Sequence, residues 1–263
     1  MNRITVKRGL GRLWSLMAPA RSRRVSLIYH SVGGQSQFAV TQSAFREQMD
    51  WLVSHGQCLT VDSLLEGDPQ DEDTNVCLTF DDGYASVRDY ALPILKSRAM
   101  TATVYVNTGR MGNAKRLPSD PKQGHYPNDA FMTWDDVAAL FDDNWTIGSH
   151  GVEHLDLCAL PSVEVCDQLE RSKSMIEDRL CKSCDHFAYT WGRYNSKVKQ
   201  AVENAGYASA AAGYHGRVTI HSDRFAFPRI DVRAEYSLSD FVSLVTGAWD
   251  YIGLKHRFQL ARS

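Results

Sequence analysis

Two pairs of polar residues in this chain have types and spacing that could do chemistry together. Asp81 and Asp82 stand side by side in Leu78-Thr79-Phe80-Asp81-Asp82-Gly83-Tyr84, and His150 and His154 lie four apart in Ile147-Gly148-Ser149-His150-Gly151-Val152-Glu153-His154. Adjacent carboxylates cannot both stay ionised in a dry pocket unless a cation neutralises them, and otherwise one takes up a proton. Two imidazoles and one carboxylate are the usual protein ligands of a catalytic zinc, with the open position left for water. Each pair also has a plain reading. Asp-Asp-Gly is a common solvated turn, and His-x-x-x-His can be two surface histidines. Taken together, each at the end of an apolar run, they favour a metal site.

Such a site needs elements that deliver both pairs to one place. Val76, Cys77, Leu78 and Phe80 read as a buried strand that stops at the two acids, and Trp145 to Ile147 as a second strand that leads to the histidines. Strands ending in polar residues place them at the carboxyl edge of a parallel sheet, where α/β proteins build their sites. A helical turn after the second strand would put both imidazoles on one face. Further strands are expected over Val25 to His30, Thr101 to Asn107, a stretch ending near Tyr189, Tyr207 to Ala212, and Phe225 to Val232. Helices are expected over Ser43 to His55 with Ser43 as cap, Val61 to Leu65, Ala85 to Ala99 interrupted by Pro93, Thr133 to Phe141, Pro161 to Leu180, Ser196 to Gly206 and Ser237 to Trp249. Strand and helix alternate throughout, which argues a parallel α/β sheet.

The segments "LTFDDGY" and "IGSHGVEH" resemble the first two motifs of the polysaccharide deacetylases, the NodB-homology or carbohydrate esterase family 4 group. Leu27-Ile28-Tyr29-His30-Ser31-Val32 resembles the opening "YH" strand of one branch, and Phe187-Ala188-Tyr189-Thr190-Trp191-Gly192-Arg193-Tyr194-Asn195 its third motif. The likeness runs in motif order from about residue 25 to about residue 235. It implies a distorted (β/α) barrel of seven strands and a metal-dependent de-N-acetylase acting on a surface polysaccharide or its precursor. By position it implies Asp82, His150 and His154 as metal ligands and Asp81 as general base. It also implies His30 as the acid and the backbone N–H of Trp191 as oxyanion donor. Zinc suits this ligand set, with cobalt, nickel or iron as alternatives. Tyr84 and Tyr189 are expected to line the substrate pocket. The implied partner is an N-acetylated glycan or a lipid- or nucleotide-linked sugar.

The chain also departs from the family pattern. Ala188 stands where familiar members carry an arginine that orients the base, and Arg229, in Phe227-Pro228-Arg229-Ile230, resembles a late arginine of the "YH" branch that would replace it. The fourth, Asp-x-x-Asp-Trp motif and the late Leu-x-His motif are not visible, and His256 in the tail has no strand around it. These gaps motivate one alternative, a non-catalytic glycan- or partner-binding protein of the same fold; a deformylase or other amide hydrolase is another, since the same water and oxyanion geometry would serve.

The remainder sets limits. With 263 residues, 43% hydrophobic, the chain can bury one sizeable core. A net charge of −2 gives no basic field for nucleic acid. No apolar run reaches bilayer-spanning length. The organisation expected is an N-terminal arm over 1–24, a catalytic domain over 25–250 and a tail over 251–263. The arm is basic, with Arg3, Lys7, Arg8, Arg12, Arg21, Arg23 and Arg24 among Leu10, Leu13, Trp14, Leu16 and Met17. It reads as a segment docked on the barrel or as an amphipathic helix on an anionic membrane. A secretory leader cleaved near Ala18-Pro19-Ala20 is the alternative, against a cytoplasmic protein touching the membrane. Cys58, Cys77, Cys158 and Cys166 are expected to pack as small core residues, and the lone Cys181-Lys182-Ser183-Cys184 receives no function. The acidic stretch 67–75 reads as a solvated loop. The Gly- and Pro-rich segment 108–132, carrying Arg110, Lys115, Arg116, His125 and Tyr126, has no periodicity and reads either as a functional loop or as a disordered insertion.

Overall fold

The structure, a computed structural model, describes residues 3–17, 23–66, 74–112 and 116–254. The leader-like Ala18-Pro19-Ala20, most of the acidic stretch, Lys115 and His256 lie outside the described residues. The helices are α1 (Arg3–Met17), α2 (Gln42–His55), α3 (Val61–Glu66), α4 (Leu92–Lys96), α5 (Trp134–Asp142), α6 (Ser162–Leu180), α7 (Ser196–Asn204) and α8 (Leu238–Thr246). The strands are β1 (Arg23–Tyr29), β2 (Gly56–Cys58), β3 (Thr74–Phe80), β4 (Thr103–Val106), β5 (Thr146–Ser149), β6 (His186–Ala188), β7 (Ser209–Ala211) and β8 (Ile230–Asp231).

Seven strands form one curled parallel sheet in the order β7-β6-β5-β4-β3-β1-β8, and short β2 pairs with β3 off that path. The two ends are joined by a single parallel bridge, Ala211 to Phe227, just upstream of β8. The Phe227 N–H donates to Ala210 O (3.1 Å), and its carbonyl accepts from Ala212 N–H (2.9 Å). The segment 227–231 therefore touches β7 at one end and β1 at the other, closing the expected seven-stranded (β/α) barrel.

Period-two alternation decides what each strand buries on which side. Val76, Leu78 and Phe80 of β3 join the large core under the helices. Cys77 joins a second cluster with Tyr105, Ala188, Ala211 and Phe227, which fills the barrel lumen. Gly148 of β5 is small for this reason: a Cβ there would stand 2.6 Å from the Tyr105 ring. β3 is buried on both faces along most of its length, as a strand covered on both sides must be.

Local signals hold the helices in place. Thr133 and Asp136 make a reciprocal capping box at α5, and Ser237 and Asp240 make another at α8. At α2 the cap is Thr41 rather than the expected Ser43, its hydroxyl accepting from Ala44 N–H. The expected helix Ala85 to Ala99 is a π-helical turn, Val87–Ala91, running into α4 with Pro93 at its start. α1 lies on the barrel: Arg8 makes a two-pronged bond to Asp240 (2.8 and 2.7 Å), Lys7 donates to the Tyr236 hydroxyl (2.7 Å), and Gly11 meets the Trp249 indole. Val6, Leu10 and Leu13 point outward from it. Among the described residues no helix is long and apolar enough to cross a membrane.

All six cysteines are free. Cys77 and Cys184 are buried and Cys58 partly so, but Cys158 and Cys166 are exposed. That corrects the expectation of four core thiols, because these two fall on the solvent side of their helical turns.

Candidate active site

The alternation that sends Cys77 into the lumen also sends Thr79 and Asp81 there, with Asp81 one step beyond the strand's end. Asp81 N–H donates to Tyr29 O of β1 (2.9 Å). The register pairs Tyr29 with Phe80, so His30 and Asp81 follow at the same level on neighbouring strands. Asp82 then turns out of the strand with φ of 70°, a left-handed conformation uncommon outside glycine, and Gly83 continues at 83°.

His150 and His154 lie on an irregular loop after β5, not on the helical turn expected from their spacing. Gly151, at φ of 81°, breaks any helix there. The loop is held by Gln168 of α6, whose Oε1 accepts from Val152 N–H (3.1 Å) and Glu153 N–H (2.9 Å), and by Asn107, whose amide donates to His150 O (2.6 Å).

Asp82, His150 and His154 converge. Asp82 Oδ1 is 3.6 Å from His150 Nε2 and 3.5 Å from His154 Nε2, and each residue offers a ligand atom within 4.8 Å of the others. His150 Nδ1 bonds Ala188 O (2.7 Å) and His154 Nδ1 bonds Gln123 O (2.6 Å). A carbonyl oxygen only accepts, so both Nδ1 atoms carry hydrogen. With hydrogen on both Nδ1 atoms, each Nε2 is the ring's ligand atom, and both face the carboxylate. Burial pushes the His150 imidazolium down to about 4, which keeps that ring neutral at ordinary pH. Asp82 Oδ1 is itself buried without a hydrogen-bond partner. Three acceptor atoms facing one point repel each other unless a cation sits between them, so the donor set fits a divalent metal.

Asp81 is held separately. Arg229 grips it with Nη1 to Oδ1 at 2.7 Å and Nη2 to Oδ2 at 2.8 Å, both side chains buried. The guanidinium lies over the Tyr105 ring (5.4 Å), while Nε donates to Ala212 O (3.1 Å) and Nη1 also to Thr79 Oγ1 (3.1 Å). Burial, the largest single influence, would raise the Asp81 carboxyl, but the charge and hydrogen bonds of Arg229 together with the charges of His150 and His30 outweigh it, and the net pKa falls to about 2. Arg229 thus stands where Ala188 leaves no arginine.

A cavity of about 550 Å³ opens over these groups, lined among others by His30, Asp81, Asp82, His150, His154 and Trp191. The His30 ring stacks on Tyr126 at 5.3 Å. Trp191 also has positive φ (59°) and is 48% exposed, its ring 4.9 Å from that of His154. Tyr84 and Tyr189, expected to line the pocket, do not: both are fully buried. Tyr84 accepts from Tyr126 N–H (2.6 Å), and Tyr189 donates to Phe225 O (2.7 Å) and stacks on Tyr194. Each has a polar tip satisfied by backbone, so each packs rather than meets substrate. Residues 116–132 are ordered against the site. They bring in His125, Tyr126 and the Gln123 carbonyl, for which the sequence offers no periodic signal.

A curled parallel barrel with an Asp-His-His cradle at its carboxyl edge, beside a carboxylate locked by arginine, defines a hydrolase-type site. Residues 68–210 match the family model described as polysaccharide deacetylase. The chain belongs to the polysaccharide deacetylase family. YxkH of Bacillus subtilis, named for the same family, is 26% identical over 219 residues, covering 82% of this chain and 73% of that protein. Poly-beta-1,6-N-acetyl-D-glucosamine N-deacetylase of Staphylococcus aureus is 24% identical over 204 residues, covering 73% and 67%. Among solved structures, the Streptococcus pyogenes deacetylase PplD in complex with acetate superposes with a TM-score of 0.71 at 20% identity, covering 86% of this chain and 99% of that one. IcaB from Ammonifex degensii gives 0.71 at 20% identity, covering 87% and 97%.

Proposed function

We propose that this polysaccharide deacetylase removes the acetyl group from an N-acetylhexosamine of a surface glycan or its precursor, using one divalent metal. The observation that carries the reading is the cradle of Asp82, His150 and His154 beside ionised Asp81. A cation held there supplies Lewis acidity toward an acyl oxygen and toward water. Zinc is the first choice for two imidazoles and a carboxylate, with cobalt, nickel and iron as the alternatives to compare.

The chain's own residues divide the remaining work. Asp81 stays ionised at physiological pH and keeps unused lone pairs after bonding Arg229, so it can take a proton from attacking water. Trp191, through its backbone N–H, donates toward the oxygen that gains charge as water adds to the acyl carbon. His30, on the neighbouring strand, gives a proton to the amine nitrogen as the C–N bond breaks. The products are acetate and a free amine.

The name of the staphylococcal relative supports a poly-N-acetylglucosamine as the first substrate to try, with lipid- and nucleotide-linked N-acetylglucosamine as further arms. The test is acetate release with added zinc. Wild-type activity lost in Asp82→Asn and His150→Ala supports the reading, and activity indifferent to both substitutions refutes it. A formylated substrate run in parallel separates deacetylation from deformylation. We further propose a cytoplasmic protein that touches the membrane through the outward Val6, Leu10 and Leu13 of α1. Co-sedimentation with anionic vesicles, abolished by Leu10→Asp with Leu13→Asp, tests that contact.

A further inference from the structure

The two histidines of the cradle are oriented by different kinds of structure. His150 donates to Ala188 O, a carbonyl on a barrel strand, whereas His154 donates to Gln123 O, a carbonyl on the non-periodic segment 116–132. Asp120 accepts from Lys122 N–H (3.0 Å) and opens a 3-10 turn over Pro121–Gln123, which ends at Gly124 with φ of 79°. The Gln123 side chain is tied back to the cradle loop. Its Oε1 accepts from Arg110 Nη2 (2.8 Å), and Arg110 Nε lies 3.7 Å from Glu153, the neighbour of His154.

Gly124 meets Trp191 so closely that a Cβ there would stand 1.9 Å from the indole. The His154 ring has the Trp191 ring 4.9 Å away and the His125 ring 5.0 Å away. His125 is buried and neither ring nitrogen has a hydrogen-bond partner. It contributes a packing surface against His154 and makes no hydrogen bond to it.

We infer that the turn 120–126 is the element that positions His154 within the metal site. Gln123 fixes His154 as the Nδ1–H tautomer, with Nε2 free to bind, and Gly124 lets Trp191 close on the same ring. The turn thereby couples the metal ligand to the residue proposed to hold the oxyanion. Partners that orient a metal-binding histidine commonly set metal affinity within about 10- to 100-fold.

The inference rests on the metal reading, and the experiment separates the two. Zinc affinity is measured by chelator competition on the full chain for wild type, Gly124→Ala, Trp191→Ala and the double variant. The His154 tautomer is read by long-range 1H–15N correlation in the metal-free proteins. Gly124→Ala is expected to weaken zinc about 10-fold or more and to turn the pure Nδ1–H signal into a mixture. The double variant, which keeps the strained φ but removes the collision, is expected to return to the affinity of Trp191→Ala. Unchanged affinity and tautomer in Gly124→Ala overturn the role of the turn. A double variant as weak as the single one overturns the seat against Trp191. Wild type that binds no zinc sinks the metal reading itself.

Discussion

Arg229 and Asp81, 148 positions apart, meet as a buried two-pronged ion pair at 2.7 and 2.8 Å. Removing one member of such a pair leaves the other charge buried and unpaired, which costs about 3–5 kcal/mol. Arg229→Met is therefore expected to lower unfolding stability by that order in urea melts. With the guanidinium gone, burial loses its main opponent, so the Asp81 carboxyl rises from about 2 and the acid limb of the kcat/KM profile moves toward neutral pH. Arg229→Lys keeps the charge but not the fork, and should lose activity while moving that limb less. An acid limb that stays put in Arg229→Met would contradict the pairing.

His30 has a different signature. As the proposed proton donor to the leaving amine, His30 should when replaced in His30→Ala lower kcat by about 10²- to 10⁴-fold with little change in KM. A kcat in His30→Ala close to that of wild type would assign the proton to another group.

Tyr189 lies behind the pocket, with its hydroxyl donating to Phe225 O. Tyr189→Phe should cost about 1 kcal/mol of stability, the usual worth of one such bond. KM for any glycan should not move, and a raised KM in kinetics would put Tyr189 back into contact with substrate.

Away from the site, Asp250 binds Arg23 through both oxygens, at 2.7 and 2.8 Å. Burial raises its carboxyl, but the bonds from His215 and Arg23 prevail and bring it from 3.8 to about 2. A carboxyl depressed in the folded state stabilises fully above its unfolded value, and that contribution fades as pH falls from about 4 to about 2. Discounted for partial exposure, it amounts to about 1–2 kcal/mol. Asp250→Asn should lower stability at pH 7 and flatten the acid slope of melting temperature in that window.

Much of the site was legible because strand patterning is local. The run Val76 to Phe80 had to be a buried strand, and a buried strand that meets two acids delivers them to an edge. The expected helix starts at Thr133 and Ser237 hold for a similar reason, each being closed by a capping box within four residues. Spacing alone misled at His150 and His154: four residues fit a helical turn, but a positive-φ Gly151 brings the rings together as well. β2, three residues long, is too short to carry a period. Residues 116–132 are held by Arg110, Glu153 and Trp191 and by backbone bonds to Gly83 and Ala85, contacts that no local pattern announces. Tyr84 and Tyr189 looked like pocket residues by their place in the motifs, yet backbone partners for their hydroxyls hold them inside.

The barrel's closing bridge at Phe227 lies two residues before Arg229. A growing polypeptide that has reached residue 226 already contains Asp82, His150 and His154, while Asp81 still lacks its counter-charge. The seam delivers that charge, so the segment that completes the barrel also completes the setting of the proposed proton acceptor.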